Sequence, residues 1–147
     1  MFWFWEGPDR KTALSGFFLR IRAESVELGT GAHHFEKQTL ERYREKLTDP
    51  RAGAALASSI AKLERAGFPV QGEHYKKLPR GVEPASELRD KLMRHNALWC
   101  SSQQKLPGEF HSREFAAFCA TRWRKQLPLH RWLVDELGLG GIAPPNR

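Results

Sequence analysis

Alternating apolar residues predict strands in the first quarter of the chain. Residues 2–5 read Phe-Trp-Phe-Trp, and period-two alternation places the phenylalanines on one face and the tryptophans on the other. Two apolar faces are typical of a central strand that is covered on both sides. Residues 16–22 predict the next strand, in which only the face of the odd-numbered apolar residues is expected to be fully buried, and residues 26–29 predict its hairpin partner.

Helical spacing follows in the middle of the chain. Residues 37–47 predict a first helix, because apolar residues recur there at helical intervals with charges between them. Asp49 is the predicted N-cap of a second helix, with Pro50 at the first helical position and Gly67 after its end. The predicted apolar stripe of the second helix consists of Ala54, Leu56, Ala57, Ile60 and Leu63.

The second half of the chain mixes short strands and helices. Residues 68–72 predict a strand that leads into residues 73–81, a strand-like segment with cations that ends in a Pro/Gly turn. We call residues 73–81 the basic turn. Ser86 predicts the N-cap of a helix that runs to about Arg94, and residues 97–101 predict another strand.

A long helix is predicted near the C-terminus. Its apolar face consists of Phe115, Phe118, Cys119, Trp123 and Leu127. Ser112 is the expected cap, and Pro128 is expected to kink or break the helix. The tryptophans at 123 and 132 are expected in the core, with the neighbouring cations in solvent. Residues 138–147, with repeated glycine and proline, are expected to form a flexible tail.

The order of these elements predicts the fold class. Strands and helices do not alternate as parallel βαβ units require, so we expect one α+β domain over residues 1–137, with a mostly antiparallel sheet covered by helices. A chain of 147 residues can bury one core without staples. Cys100 and Cys119 lie far apart and lack metal-binding spacing, so we expect neither a metal nor a cofactor.

Charge indicates the kind of partner. The formal net charge of +7 favours acidic partners such as nucleic acid or phosphate esters. The apolar run at the N-terminus is too short for a signal peptide or a membrane span, so a cytoplasmic protein without a membrane partner is expected. The same aromatic strand, if left uncovered, favours association into a homo-oligomer.

The basic turn is the first candidate for a ligand site. Lys76 and Lys77 would point to opposite faces of a strand, so only one of them can act together with Arg80 on an anion, with backbone N–H groups of the turn as further donors. His74 and Tyr75 complete the candidate set. The alternative interpretation is a solvated edge strand whose lysines discourage aggregation.

Histidines give a second set of candidates. His33 and His34 follow a glycine-rich bend, where a histidine could bind a ligand or act as an acid or base. Adjacent histidines cannot both face one metal from regular structure, so no metal site is predicted. The other histidines outside the basic turn are expected to be surface residues or hydrogen-bonded core residues. These are His95, His111 and His130.

Four stretches together resemble a known family. They are Trp5-Glu6-Gly7-Pro8, Gly16-Phe17-Phe18 with Leu28-Gly29-Thr30-Gly31, residues 75–81 of the basic turn, and Pro128-Leu129-His130-Arg131-Trp132-Leu133. The chain resembles, over nearly all of residues 2–134, the bacterial and fungal family of conserved hypothetical proteins called domain of unknown function 2461. The resemblance implies a fold and carries no established activity.

Two departures from the family pattern affect what the resemblance implies. Family members usually have a further N-terminal region before the aromatic strand, so the resemblance implies a truncated or divergent member. They also tend to have an aromatic residue, an acid and a His-Pro pair after the glycine of the basic turn. Residues 82–87 here read Val-Glu-Pro-Ala-Ser-Glu instead, so any chemistry of that histidine is lost.

Two hypotheses for function follow. The favoured one is a binding domain whose basic turn engages a phosphate-bearing ligand or nucleic acid. The alternative is an enzyme of unknown reaction that uses a histidine near the turn together with acids such as Glu83, Glu87 or Asp90.

Overall fold

An antiparallel sheet backed by helices organises the chain, and the computed structural model describes residues 1–141. The strands are β1 (Phe2–Trp5), β2 (Gly16–Ile21), β3 (Ser25–Ala32), β4 (Val70–Glu73) and β5 (His95–Lys105). The helices are α1 (Lys37–Thr48), α2 (Pro50–Arg65), α3 (Glu87–Met93) and α4 (Phe115–Leu137), with short 3-10 turns at Lys11–Ala13 and Gly108–His111. The strand order is β1-β2-β3-β5-β4, and every neighbouring pair is antiparallel. The predicted α+β fold class is confirmed.

The helices pack on one face of the sheet. Two clusters of buried apolar side chains join sheet and helices, and strand register places their sheet residues on a single face. These sheet residues are Leu19, Val26, Leu28, Ala32, Leu98 and Cys100. Alternation directs a different set to the other side, which we call the open face: Trp3, Phe18, Arg20, Glu27, Trp99 and Ser101.

β1 lies at an edge of the sheet, so the prediction of a central, doubly covered strand is wrong. Phe2, Phe4 and Trp5 are 55%, 51% and 44% exposed. Phe4 contacts only the margin of the helical layer, where its ring centroid lies 5.6 Å from that of Trp123. Apolar composition shows that a strand prefers burial, but it does not show how many neighbours the strand has.

Glycines in β3 determine how the open face packs. Phe18 pairs with Gly29 across the β2–β3 ladder and is 1% exposed. A Cβ atom at Gly29 would lie 2.3 Å from the Phe18 ring, and one at Gly31, where φ is +140°, would lie 2.3 Å from the carbonyl oxygen of Leu98. The Phe18 ring therefore lies directly on the β3 backbone.

The burial of Phe18 corrects one prediction about β2. The two faces of the strand are assigned correctly by its alternation, but the face expected to be fully buried carries Ile21, which is 40% exposed. Phe18, on the other face, is buried instead, because glycine leaves room for its ring. Burying a phenylalanine side chain contributes about 1.5–3 kcal/mol.

The helix caps near the middle of the chain follow the prediction. Asp49 accepts a hydrogen bond from the Ala52 N–H at 2.7 Å, with Pro50 at the start of α2, and Ser86 accepts one from the Arg89 N–H at 3.2 Å. The apolar stripe of α2 is corrected at one position. Ala52 is fully buried and Ala54 is exposed, because position 52 lies about one helical turn before Leu56, whereas position 54 lies about 200° around the helix from Leu56.

α4 is longer than predicted. It continues through Pro128 to Leu137, so of the two predicted effects, a kink or a break, the break does not occur. An interior proline costs about 3 kcal/mol. Leu129 and Leu133 are fully buried beyond it and Trp132 is 6% exposed, and each such side chain contributes about 1.5–3 kcal/mol, which outweighs the cost of the proline.

The start of α4 also differs from the prediction. Ser112 does not cap the helix, because its hydroxyl donates to the carbonyl oxygen of Glu109 in the preceding 3-10 turn. Glu114 occupies the N-cap position, and its side chain accepts from Arg113 at 3.2 Å instead of capping the helix. Of the two tryptophans expected in the core, Trp132 is buried and donates to the Ala52 carbonyl, whereas Trp123 is half-buried and donates to the Phe18 carbonyl.

The segments after α2 and α4 are shorter or better packed than expected. β4 ends at Glu73, so residues 74–81 of the basic turn are irregular, and the prediction of a strand there is wrong. Leu139, in the predicted tail, is 6% exposed, and its carbonyl accepts from the Ser15 N–H at 2.8 Å. Residues 142–147 of that tail lie outside the described residues.

Within residues 1–141 no helix is both long and apolar enough to cross a bilayer.

Replacing Gly29 with alanine tests the packing of Phe18 on β3. We expect Gly29→Ala to lower the free energy of unfolding by about 1–3 kcal/mol, because the new methyl group must displace the Phe18 ring or the Cys100 carbonyl. Urea unfolding measures this change. Gly108→Ala is the matched control, since no atom lies within 4 Å of its added Cβ. Equal destabilisation of the two variants would contradict the packing described.

Candidate functional site

The open face holds a cavity of about 330 Å³ where β1, β2 and the end of β3 meet. Its lining consists of Met1, Trp3, Lys11, Thr12, Arg20 and His33. We call it the His33 cavity. Its volume falls in the range of small-molecule pockets. Two of the lining residues are cations and none is an acid, so the cavity is suited to an anion.

Aromatic rings form the floor and one wall of the His33 cavity. Trp3 stacks beside Phe18 with ring centroids 5.8 Å apart and planes within 10°. The His33 ring lies against three aromatic neighbours. Its centroid is 5.0 Å from that of Trp3, 5.4 Å from that of Phe18 and 4.9 Å from that of Trp99. These contacts fix the position of the imidazole, even though its outer side is exposed to solvent.

The environment of His33 keeps its ring uncharged. Partial burial against the aromatic rings lowers its pKa below the ordinary value of 6.5, and the nearby Arg20 charge lowers that pKa further, while Glu27 raises it. The imidazole is therefore neutral at physiological pH. In that form it can donate or accept a hydrogen bond and present an aromatic face.

Arg20 reaches the cavity from a fixed position. Its Nη1 atom donates to Glu27 Oε2 at 3.2 Å, across the β2–β3 ladder, and Arg22 donates to the same oxygen at 3.3 Å. Ser101 on β5 donates to the other carboxylate oxygen of Glu27 at 2.9 Å. Glu27 is 9% exposed, so this carboxylate has three partners in a nearly buried site and orients Arg20 without lying in the cavity lining.

A second polar cluster ties β1 to α4. His130 and Ser15 are both fully buried, with 2.9 Å between His130 Nδ1 and Ser15 Oγ, and His130 Nε2 lies 3.0 Å from Glu6 Oε1. A carboxylate can only accept, so His130 Nε2 carries a hydrogen and donates it to Glu6. The residues resemble a hydrolytic triad in type, but a buried serine cannot meet a substrate. The cluster therefore holds the N-terminal segment in place.

The basic turn is anchored by its backbone and by its apolar residues. The N–H groups of His74 and Tyr75 both donate to the Arg94 carbonyl at 2.9 Å. Leu78 and Val82 pack against the larger core cluster. The turn is therefore a fixed part of the surface, as its proline and glycine predict.

The predicted ligand-binding side chains of the basic turn all lie on the surface. Lys76, Lys77 and Arg80 are exposed and take part in no ion pair within residues 1–141. Tyr75 lies under the Arg44 guanidinium at 5.2 Å, and its ring contacts that of His74. Because the lysines lie in a bend, the argument that they point to opposite faces of a strand does not apply.

The basic turn and the His33 cavity lie at the same end of the sheet. β4 ends at Glu73 opposite His95, and β3 ends at Ala32 opposite Leu98, so both strands finish beside the start of β5. Two strand spacings of about 4.8 Å separate β3 from β4. The backbones of these two strands are thus about 10 Å apart, with β5 between them. The basic turn packs against the helix-side core through Leu78, whereas the His33 cavity lies on the open face.

The acids proposed for an enzyme do not pair with a histidine. Asp90 binds Arg89 at 2.9 Å and accepts from the Ala85 N–H at 3.1 Å, while Glu83 and Glu87 are exposed. His74 contacts the Tyr75 ring, and within the described part of the chain it has no carboxylate partner. Within residues 1–141 these three acids therefore form no ion pair with His74.

The other predicted histidines divide between surface and core. His34 and His111 are exposed. His95 is 1% exposed, and its Nδ1 atom lies 3.1 Å from the Ala97 carbonyl oxygen. Burial lowers the pKa of His95, and the Ala97 hydrogen bond opposes that shift. His130 is a hydrogen-bonded core residue, as predicted.

Residues 1–141 contain neither a cluster of metal ligands nor a reactive thiol. No three His, Cys, Asp or Glu side chains there come together as metal ligands. Cys100 and Cys119 are buried free thiols, and burial raises the pKa of Cys100 to about 12. A thiol in that state is not a nucleophile at neutral pH.

Sequence reasoning found one residue of the His33 cavity and missed the others. His33 was a candidate, but Trp3, Lys11 and Arg20 were not. Their meeting depends on strand register, which alternation alone does not give. One usable signal was present: two glycines inside a strand indicate a close approach of other groups, here the aromatic rings of neighbouring strands.

The pH dependence of stability tests the environment of His33. Since its folded-state pKa lies below the ordinary value, the unfolded chain binds the proton more readily, and stability falls as the pH is lowered through about 7 to 5. We expect His33→Gln to make this fall shallower in urea unfolding. His111→Gln, the same exchange at an exposed site before α4, is the matched control. An unchanged slope in His33→Gln would contradict the account.

Comparison with known proteins identifies a family. Searches of curated proteins and of solved structures found no match. The family model described as "Conserved hypothetical protein (DUF2461)" matches residues 1–132, which is most of the chain. The stretches that carry the resemblance lie within this match or overlap its end, and two of them meet in space where Glu6 bonds His130. The chain therefore belongs to the DUF2461 family of conserved hypothetical proteins.

Proposed function

We propose that this domain binds a phosphate-bearing anionic ligand in the His33 cavity. The observation that carries the proposal is the lining of the cavity, in which Lys11 and Arg20 face a space of about 330 Å³ without any acidic residue. Arginine offers a planar set of donors that matches phosphate oxygens, and lysine adds a second positive charge. A neutral His33 supplies a further donor or acceptor.

The position of Arg20 supports an anionic ligand over a cationic one. Glu27 accepts from Nη1 of the guanidinium, and Nη2 lies 3.6 Å from the Met1 sulfur, a weak acceptor that also lines the cavity. A cationic ligand would meet two positive charges at this site, so the aromatic rings do not form a cage for ammonium groups. An uncharged apolar ligand would cover the Lys11 ammonium group without supplying an acceptor for it.

The basic turn is the second cationic surface of this proposal. Lys76 and Arg80 lie at the same end of the sheet as the cavity, and Arg44 adds a charge above Tyr75. An extended anion that fills the cavity would have to pass around the end of β5 to reach these side chains, because the turn packs on the helical side of the sheet. His34 is exposed beside this route, whereas His74 and Tyr75 contact each other and support the turn.

Binding of tripolyphosphate tests the proposed site. We expect Arg20→Ala to weaken binding at low ionic strength by about tenfold or more, because hydrogen bonds to charged groups contribute about 1.5–3 kcal/mol. We expect Arg80→Ala to weaken it measurably but less. Isothermal titration calorimetry gives both dissociation constants.

The control for this experiment removes a cation elsewhere. Lys125 is exposed on α4, on the helical side of the sheet, and Lys125→Ala lowers the net charge as much as Arg20→Ala does. If Arg20→Ala and Lys125→Ala weaken binding equally, the effect is one of net charge and the proposed site is wrong.

We also propose that the chain self-associates through β1. This strand has a neighbour on one side only within residues 1–141, and Phe2, Phe4 and Trp5 are exposed along it. A second copy running antiparallel would pair Phe4 with its counterpart and carry the sheet across a two-fold axis. No residue of β1 is charged, so charged side chains of the paired strands do not repel each other at this interface.

Sedimentation velocity over a range of protein concentrations tests the association. The unmodified chain is expected to form a dimer, and Phe4→Lys is expected to remain a monomer, since it places two charges opposite each other. Ala55→Lys adds the same charge at an exposed position of α2 and is expected to leave the dimer intact. A monomer at all concentrations would refute self-association through this edge.

A further inference from the structure

The His33 cavity combines two kinds of chemistry in one space. Its lining contains the cations Lys11 and Arg20 together with the rings of Trp3 and His33, which we call the aromatic side. The two ring planes are tilted by 55° with centroids 5.0 Å apart. A phosphate group alone would use the cations and leave the aromatic side in water.

The aromatic side is rigid enough to accept a stacked ring. Trp3 is supported by Phe18, which in turn lies on the β3 backbone at Gly29, and His33 is supported by Trp99. Trp3 is still partly exposed, so part of its indole remains available to a ligand. Stacking on a ring that is already fixed costs little side-chain entropy.

His33 favours the same class of ligand. Because burial and Arg20 keep the imidazole neutral, its face can stack and its nitrogens can hydrogen-bond without adding a charge. A planar heterocycle with polar edges uses both properties. A purely aliphatic phosphate ester uses neither.

We propose that the ligand of the His33 cavity is a nucleotide, whose base stacks on Trp3 beside His33 while its phosphate contacts Arg20 and Lys11. This inference rests on the function proposed above and adds the requirement for a flat ring. The same chemistry is offered by a free nucleotide and by one nucleotide of a single-stranded nucleic acid.

The experiment compares two phosphate esters of ribose, one with and one without a nucleobase. Calorimetry measures binding of adenosine 5′-monophosphate and of ribose 5-phosphate at one salt concentration. We expect the nucleotide to bind about tenfold more tightly, which is the size of a base–aromatic stacking contribution. Trp3→Leu keeps an apolar residue in β1 and is expected to remove this difference, because it weakens nucleotide binding much more than ribose 5-phosphate binding. Circular dichroism confirms that the variant is folded.

An oligonucleotide distinguishes the two sources of the ligand. Single-stranded oligothymidylate that binds more tightly than the mononucleotide, loses affinity in Trp3→Leu and weakens steeply with salt supports the inference with nucleic acid as the source. Tighter binding of the mononucleotide supports it with free nucleotide as the source. Either result must also depend on Arg20.

The outcomes separate this inference from the proposed function. If the nucleotide and ribose 5-phosphate bind equally and both depend on Arg20, the phosphate site stands and the ring requirement is refuted. If Trp3→Leu weakens both ligands alike, Trp3 supports the fold of the cavity and the stacking role is refuted. If neither ligand depends on Arg20, the proposed function and this inference both fail.

Discussion

The pairing of Phe18 with Gly29 is the contact on which the open face depends. Its register places Phe18 and Arg20 on the side of the sheet away from the helices, and a slip by one residue would exchange them for Phe17 and Leu19. Without a side chain at Gly29, the Phe18 ring rests on the backbone of β3. Trp3 and His33 then pack on that ring, so the cavity is a consequence of the register and of one missing Cβ atom.

Other parts of the chain hold this arrangement in place. β1 is short and lies at an edge, where a strand of four residues has little stability of its own. The buried hydrogen bonds of His130 to Ser15 and Glu6 tie the segments on either side of the Lys11 turn to α4. α4 itself continues through Pro128 because the residues beyond it are buried. The position of Trp3 on the open face is thus linked to the packing of the last helix.

The sequence predicts where helices and strands form better than it predicts how they pair and pack. Caps at Asp49 and Ser86 were predictable because a side-chain acceptor next to a helix start has a local physical basis. The edge position of β1 was not predictable. Two apolar faces indicate that a strand prefers burial, but they do not indicate which strands it pairs with. The continuation through Pro128 was missed because the local cost of proline is visible in the sequence, whereas the burial of Leu129 and Leu133 is a property of the whole fold.

The candidate site shows the same limit. The basic turn could be found from its composition, and its exposed cations lie where a ligand can reach them. The His33 cavity could not be found this way, because residues of four separate segments meet there only after the sheet forms. A nitrogen-15 correlation spectrum recorded during titration with adenosine 5′-monophosphate tests the central claim directly. The account predicts shifts at Trp3, Arg20 and His33, and shifts confined to α4 or to the basic turn would contradict it.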